Sequence, residues 1–141
     1  MADRVLVLAQ DLIWADRLAR AVAEAGGSPS RLATEPALVS ALAPSDTPAF
    51  VIVDLTARAY DPFAAIATAH AAGARILAVG QHDDVPQRKR ALAAGAERVL
   101  AYRKLFEDGP ATIRAWLDRA VAVQEGSAGS AASAGSAASS G

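Results

Sequence analysis

The amino-acid sequence predicts an α/β domain in which a parallel sheet is covered by helices on both faces. Five short apolar runs alternate with five segments of helical character along the chain. The connections between successive runs are too long for hairpins, so the strands must be parallel and joined by helical crossovers. A parallel sheet is buried on both faces, which gives three layers: helices, sheet and helices. A chain of 141 residues is long enough to form one such domain.

The strand predictions rest on short runs of aliphatic and β-branched residues bounded by turn-forming segments. The central run is residues 50–55, Phe-Val-Ile-Val-Asp-Leu, which follows a turn segment with two prolines and carries Asp54 near its end. The remaining strands are predicted, in chain order, at residues 5–8, 30–33, 75–80 and 98–102. The carboxyl ends of parallel strands meet at one edge of the sheet, where open α/β folds place their sites. Asp54 is therefore the first candidate functional residue.

Each helix prediction combines an apolar stripe with a start or stop signal. The start signals are a capping Asp or Thr, a proline in the first turn, or both, and the stop signals are glycines. The predicted helices run from Asp11 to Gly26, from Pro36 to Ala43, from Asp61 to Gly73, from Asp84 to Gly95, and from Gly109 onward. Asp11 is predicted to be an N-cap for the first of them.

Composition excludes several classes of function. The chain has no cysteine, so it can form neither a disulfide framework nor a thiolate nucleophile. Its net charge is −1 and its charges are interspersed, which argues against direct binding to nucleic acid or to an anionic membrane. The first apolar run is too short for a signal peptide or a membrane span, so a cytoplasmic protein is expected.

The end of the chain differs in composition from the rest. From residue 126 onward it contains only Gly, Ser and Ala, which can bury almost no apolar surface. We therefore expect a folded domain over residues 1–124 and a flexible linker or tail over residues 125–141.

Three phrases, taken together and in this order, resemble the receiver domain of two-component response regulators. They are an apolar strand running into an acidic residue at 4–13, the strand with its aspartate at 50–55, and Ala-Leu-Ala-Ala-Gly-Ala-Glu-Arg-Val-Leu at 91–100. The resemblance covers roughly residues 3–123. It implies the single-domain flavodoxin-like (βα)5 fold with sheet order 2-1-3-4-5, and a signalling module rather than an enzyme. It also implies that Asp54 stands where the family accepts a phosphoryl group.

The same resemblance implies that parts of the phosphorylation site are missing. The pair of acids that holds Mg²⁺ in the family reads Ala9 and Gln10 here, with Asp11 one place later. A single displaced carboxylate beside Asp54 is a poor oxygen cage for Mg²⁺, so no metal is expected. Gly80 replaces the small hydroxyl residue that follows the fourth strand.

The position of the family's lysine after the fifth strand is left open by the sequence. Counted from Gly95 it falls on Tyr102, whereas a loop longer by two residues would place Lys104 there. The aromatic switch residue of the fifth strand reads Val99. A shift of two residues keeps strand parity, so periodicity does not choose between Tyr102 and Lys104.

Two interpretations of Asp54 follow. It is either a phosphoacceptor or a remnant carboxylate that accepts from a backbone N–H or pairs with Lys104. Asp11 is expected to cap a helix rather than to bind metal. Gln10 is expected to lie near Asp54 and to donate a hydrogen bond to it from its amide.

The function expected from these residues is that of a pseudo-receiver, which binds another protein without being phosphorylated and needs no cofactor. The partner is a signalling protein or a second copy, bound through the surface of the fourth helix, fifth strand and fifth helix. The residues expected there are Arg88, Arg90, Val99, Tyr102, Arg103 and Arg114. The alternative is a single-domain response regulator that a histidine kinase phosphorylates on Asp54 with Mg²⁺. No nucleophile and base pair, metal cluster or phosphate loop is evident for an enzyme.

Overall fold

The computed structural model describes residues 3–42, 49–81 and 83–130. The strands are β1 (Arg4–Leu8), β2 (Ser28–Leu32), β3 (Phe50–Asp54), β4 (Arg75–Gly80) and β5 (Arg98–Ala101). The helices are α1 (Leu12–Glu24), α2 (Glu35–Ala41), α3 (Pro62–Ala71), α4 (Val85–Ala94) and α5 (Tyr102–Ser130). All strand pairs are parallel and the sheet order is β2-β1-β3-β4-β5. The predicted fold and strand order are confirmed.

The sheet separates two apolar clusters, which form the three predicted layers. One cluster packs the α1 and α5 side chains Leu18 and Trp116 against the sheet, and the other packs Leu38 and Ile66 of α2 and α3. All five residues of β3 are buried, as expected for the central strand of a parallel sheet. Asp54 is thereby carried into the interior at the end of the most buried strand.

The capping residues predicted from sequence are confirmed. Asp11, Asp61 and Asp84 accept hydrogen bonds from backbone N–H groups in the first turns of α1, α3 and α4. Thr34 does the same for α2, with Pro36 in its first turn. These caps satisfy amide groups that a helix leaves without an internal partner.

Two element boundaries in the first half differ from the prediction. β2 begins at Ser28 and ends at Leu32, because pairing with β1 extends it toward a proline and two serines that lack an apolar pattern. α2 ends at Ala41, and the predicted end at Ala43 lies outside the described residues.

The larger difference between the predicted and the observed elements lies in the second half of the chain. β5 ends at Ala101 and α5 begins directly at Tyr102, where a strand end and then a loop are predicted. Asp108 has a non-helical backbone (φ −152°) and divides α5 into two segments, and Gly109 and Pro110 open the second of them. The helix continues to Ser130, while the assignment of residues 125–141 to a linker stays a prediction. No helix in the described ranges is long and apolar enough to cross a membrane.

Candidate functional site at the carboxyl edge of the sheet

Asp54 is the central residue of the carboxyl edge, and its side chain is 1% exposed. Its Oδ1 atom accepts from the backbone N–H of Thr56 at 3.0 Å, from the Thr56 hydroxyl at 2.9 Å, and from the phenol of Tyr102. Its Oδ2 atom is buried and has no hydrogen-bond partner among the described residues. A buried carboxylate is costly unless it is hydrogen-bonded, so its three neutral donors are central to its stability here.

Of the two positions that the resemblance leaves open for the family's lysine, Tyr102 is the one whose side chain faces Asp54. Its hydroxyl donates to Asp54 and lies 2.6 Å from the Thr56 hydroxyl. Burial, and after it the hydrogen bond to Asp54, raises the pKa of the Tyr102 phenol above its ordinary value. The group facing Asp54 is therefore a neutral phenol rather than a cation.

Lys104 lies away from the carboxylate. Its Nζ atom is 3.7 Å from Asp108 Oδ2, and both side chains are about half exposed. Of the two contacts considered for a remnant Asp54, acceptance from a backbone N–H is present at Thr56, and pairing with Lys104 is absent. Helix begins at Tyr102, and a residue two places along a helix points to a different side. The described residues place no cation within ion-pair distance of Asp54.

The residues at the positions of the metal-binding acids serve other contacts. Ala9 is buried, and its backbone N–H donates to Leu32 O at 3.1 Å, which extends the sheet by one bond. The Oε1 atom of Gln10 accepts from the backbone N–H groups of Arg58 at 2.6 Å and Ala59 at 3.0 Å. The expected donation from Gln10 to Asp54 is therefore wrong: Gln10 fixes the loop after β3 instead.

Asp11 is engaged as a helix cap. Its Oδ1 accepts from the backbone N–H of Ile13 at 2.8 Å and of Trp14 at 3.0 Å. No group of three or more His, Asp or Glu side chains that could hold a metal occurs in the part of the chain that the structure describes. The Oδ1 atom of Asp11 is thus engaged by the first turn of α1, and that of Asp54 by three protein donors.

Gly80 ends β4, and the space beside it is filled from α4. A Cβ atom built on Gly80 would lie 2.7 Å from Oε1 of Gln87, and Nε2 of Gln87 donates to the backbone oxygen of Leu55 at 3.3 Å. The side chain of Gln87 therefore stands where a hydroxyl side chain at position 80 would need room. Sequence patterns gave no signal for this contact, because Gln87 looks like an ordinary helix residue.

Two other site residues were missed in the sequence. The hydroxyl of Tyr60 shares its single proton between the backbone oxygens of Leu8 at 3.0 Å and Asp54 at 2.9 Å, which ties together the ends of β1 and β3. Burial is the main cause that raises the pKa of Tyr60 above its ordinary value. Thr56 could have been found, since a hydroxyl residue two places after an aspartate is typical of local side-chain turns.

A cleft of about 360 Å³ opens beside this group of residues. It is lined by Gln10, Asp11, Asp54, Thr56, Ala57 and Arg58. The structure brings Gln10, Asp11 and Asp54 together, and it adds Thr56 and Arg58 to them.

The residues of the expected interaction surface have unequal exposure. Val99 was expected on this surface, and that expectation is wrong. Its side chain is 9% exposed and packs in the core. Arg90 lies over the ring of Phe63 at 3.9 Å, and Arg103 pairs with Glu107 at 3.2 Å. Arg88 is half-buried on α4.

Arg114 is held on the other side of α5. Its Nη1 donates to the backbone oxygen of Ala25 at 2.9 Å, and its Nε is 3.5 Å from Asp118. This arginine therefore joins α5 to the end of α1. Of the two histidines, His70 is exposed in the last turn of α3, whereas His82 lies outside the described residues.

No protein-family model and no curated protein matches the chain. Solved structures match it with probability 1.00. A receiver domain protein (CheY-like) from Methanospirillum hungatei has a TM-score of 0.67 and 18% identity, over 84% of this chain and 96% of that one. A two-component response regulator from Clostridium difficile has a TM-score of 0.71 and 14% identity, over 83% and 97%.

The chain has the fold of a CheY-like receiver domain. A response regulator from Burkholderia pseudomallei, solved with a phosphorylated aspartic acid and calcium, matches with a TM-score of 0.61 and 22% identity. That match covers 70% of this chain and 59% of the Burkholderia chain, so the chain spans less than two thirds of that protein. Within this receiver fold, Asp54 ends the third strand and Tyr102 follows the fifth.

Proposed function

We propose that this chain is a pseudo-receiver, a signalling module that binds another protein without being phosphorylated. The observation that carries the proposal is the hydrogen bond from the Tyr102 phenol to Asp54, at one of the two positions left open for the family's lysine. Transfer of a phosphoryl group to a carboxylate needs positive charge for the phosphoryl oxygens, from a metal and from a cationic side chain. A neutral phenol provides neither.

The neighbours of Asp54 support the same function. One carboxylate oxygen is already engaged by three donors, and the other is buried. Adding a phosphoryl group would bring further negative oxygens into the cleft beside Asp54, where Asp11 already adds negative charge and Arg58 is the one cation among the described lining residues. Several kcal/mol of charge stabilisation that a metal contributes would be missing.

The proposed module is a cytoplasmic, non-enzymatic domain over residues 1–124 that delivers its output by contact. Its partner is a protein of a signalling pathway. A second copy is the other partner expected from the sequence.

The test is exposure of the full chain to acetyl phosphate and Mg²⁺, followed by intact-mass measurement. We expect no gain of mass under conditions in which a receiver domain with a complete acidic pair and lysine is modified. The Asp54→Asn variant is the matched control. A gain of one phosphate that this variant abolishes would overturn the proposal in favour of a response regulator phosphorylated on Asp54 by a histidine kinase.

A further inference from the structure

We propose that the partner binds on α1 and the first segment of α5, and that it offers a carboxylate flanked by apolar side chains. This inference rests on the proposed function and adds the place and chemistry of the contact. The surface consists of Leu12, Ile13, Trp14, Arg17 and Phe106, and it is called the Arg17 surface below. It differs from the surface of α4, β5 and α5 that the sequence suggested.

The Arg17 surface gathers the most exposed large apolar side chains of the described residues. Leu12 is 77% exposed, Phe106 is 70% and Ile13 is 66%. All three lie at the start of α1 or in the first segment of α5. Scattered apolar residues on a surface are ordinary, but a group of them on one face is typical of a protein-binding site.

Arg17 provides the charge of this surface. Its guanidinium carbon is 5.4 Å from the centre of the Trp14 ring and 5.0 Å from the centre of the Phe106 ring. No carboxylate lies within 4.0 Å of Arg17 among the described residues, whereas the nearby cations do have such partners. These are Arg20 and Arg31 with Asp16, Arg103 with Glu107, and Lys104 with Asp108.

The stacked arginine fits a carboxylate from another molecule. A guanidinium held between aromatic faces keeps its N–H groups available at its edge, and those groups match a carboxylate in a bidentate pair. Because the rings already restrict the side chain, less conformational freedom is lost when the pair forms. Arg17 itself therefore favours an acidic group over a basic one.

Hollows on both sides of Arg17 fit apolar side chains. One hollow of about 220 Å³ includes Leu18, Leu105 and Phe106 in its lining. The other, of about 530 Å³, includes Leu12 and Ile13. Arg20 lines both hollows, Glu24 lines the first, and Asp16, which pairs with Arg20, lines the second. Arg17 lines both, so a carboxylate on Arg17 would have an apolar site on either side.

The Arg17 surface is held from beneath by the buried aspartate. The ring of Tyr102 stacks on Trp14 with ring centres 4.2 Å apart, while its hydroxyl bonds Asp54. Asp54 therefore fixes the ring on which Trp14 rests, and Trp14 in turn packs under Arg17. This gives the carboxylate a role in a module that is not phosphorylated.

The experiment selects short random peptides displayed on phage against the full chain and then measures their affinity for variants. Arg17→Gln is the test variant, and Arg90→Gln is its matched control, because Arg90 also lies over an aromatic ring but on α4. We expect selected peptides to carry an acid between apolar residues. Arg17→Gln should weaken their binding by about tenfold or more, and Arg90→Gln should leave it unchanged. Thermal unfolding confirms that both variants fold.

Several results would overturn the inference: no enriched peptides, basic peptides, equal binding to both variants, or loss of binding with Arg90→Gln alone. A dimer that forms without peptide and dissociates in Arg17→Gln would replace the acidic partner by a second copy. Failure of the proposed function is recognised separately, because phosphorylation of Asp54 would change the mass of the chain whatever the peptides do.

Discussion

The pairing of Asp54 with Tyr102 determines what this receiver-like site can do. A carboxylate buried to 1% exposure has lost its water, and its neutral donors replace only part of that hydration. All three of them reach Oδ1, while Oδ2 has no partner among the described residues. Removing one donor should therefore have a measurable cost.

We expect Tyr102→Phe to lower the free energy of unfolding by about 1–3 kcal/mol, because the substitution removes a donor from a buried carboxylate and keeps the ring that stacks on Trp14. Urea unfolding measures the loss. A double-mutant cycle with Asp54→Ala separates the hydrogen bond from other effects, and we expect the two substitutions to be coupled. Simple addition of the two losses would contradict a direct bond between these side chains.

Single residues also show why some of the site could not be predicted. Asp11 could be assigned as a cap because both its carboxylate and the N–H groups it binds lie within three residues. Gln10 and Gln87 bind backbone groups 48 and 32 residues away, and the loops that carry those groups are placed only by the complete fold. A short stretch of sequence therefore cannot identify such partners.

At the scale of elements, the bounds of a strand were predicted best where the strand is a continuous apolar run. β3 and β4 are continuous apolar runs, and β4 has the predicted bounds. β2 is an edge strand of Ser, Pro, Ser, Arg and Leu, whose pairing with β1 rather than its own sequence decides where it begins. Edge position and weak patterning explain that boundary error.

The start of α5 was missed for a different reason. Gly109 and Pro110 form a start signal, and they do open the second segment of α5. The preceding segment is fixed by long-range contacts, with Tyr102 bonded to Asp54 and Leu105 buried in the core. This segment carries Phe106, so the error concealed part of the Arg17 surface.

The glycine that ends α4 provides a prediction at this scale. Gly95 has φ +130°, and a Cβ there would meet Cγ of His70 at 2.6 Å. Gly73 has φ +83° with nothing within 4 Å of such a Cβ, so it has a positive φ without a steric contact, and its φ is nearer the left-handed helical region than that of Gly95. We expect Gly73→Ala to cost about 1–2 kcal/mol in unfolding free energy and Gly95→Ala to cost more, since it adds a clash.

The steric part of that loss can be isolated. Thermal or urea unfolding of Gly95→Ala in a His70→Ala background should recover part of the difference between the two glycine variants. Equal losses for Gly73→Ala and Gly95→Ala would show that His70 yields without cost.

At the scale of the whole molecule, the sequence predicted where the site lies but not what holds it. The location follows from topology, because the ends of β1, β3, β4 and β5 meet at one edge. The contacts there are made by Tyr60 and Tyr102, which come from elsewhere in the chain and bridge strand ends to Asp54. These are the only two tyrosines in the sequence, so the tyrosine absorbance of the protein reports on this edge.

The two phenols predict how stability depends on pH. Burial raises the pKa of both, so the fold favours the neutral form. The resulting stabilisation is fully present below the ordinary tyrosine pKa of about 10 and is lost as pH rises through the folded values.

The folded chain should therefore show no tyrosinate absorbance near pH 10, whereas the chain in urea should titrate both phenols there. Unfolding free energy should fall above about pH 10, and less steeply in Tyr102→Phe, which has one such phenol fewer. Ordinary titration of one phenol in the folded protein would mean that Tyr102 is exposed to solvent and not bonded to Asp54.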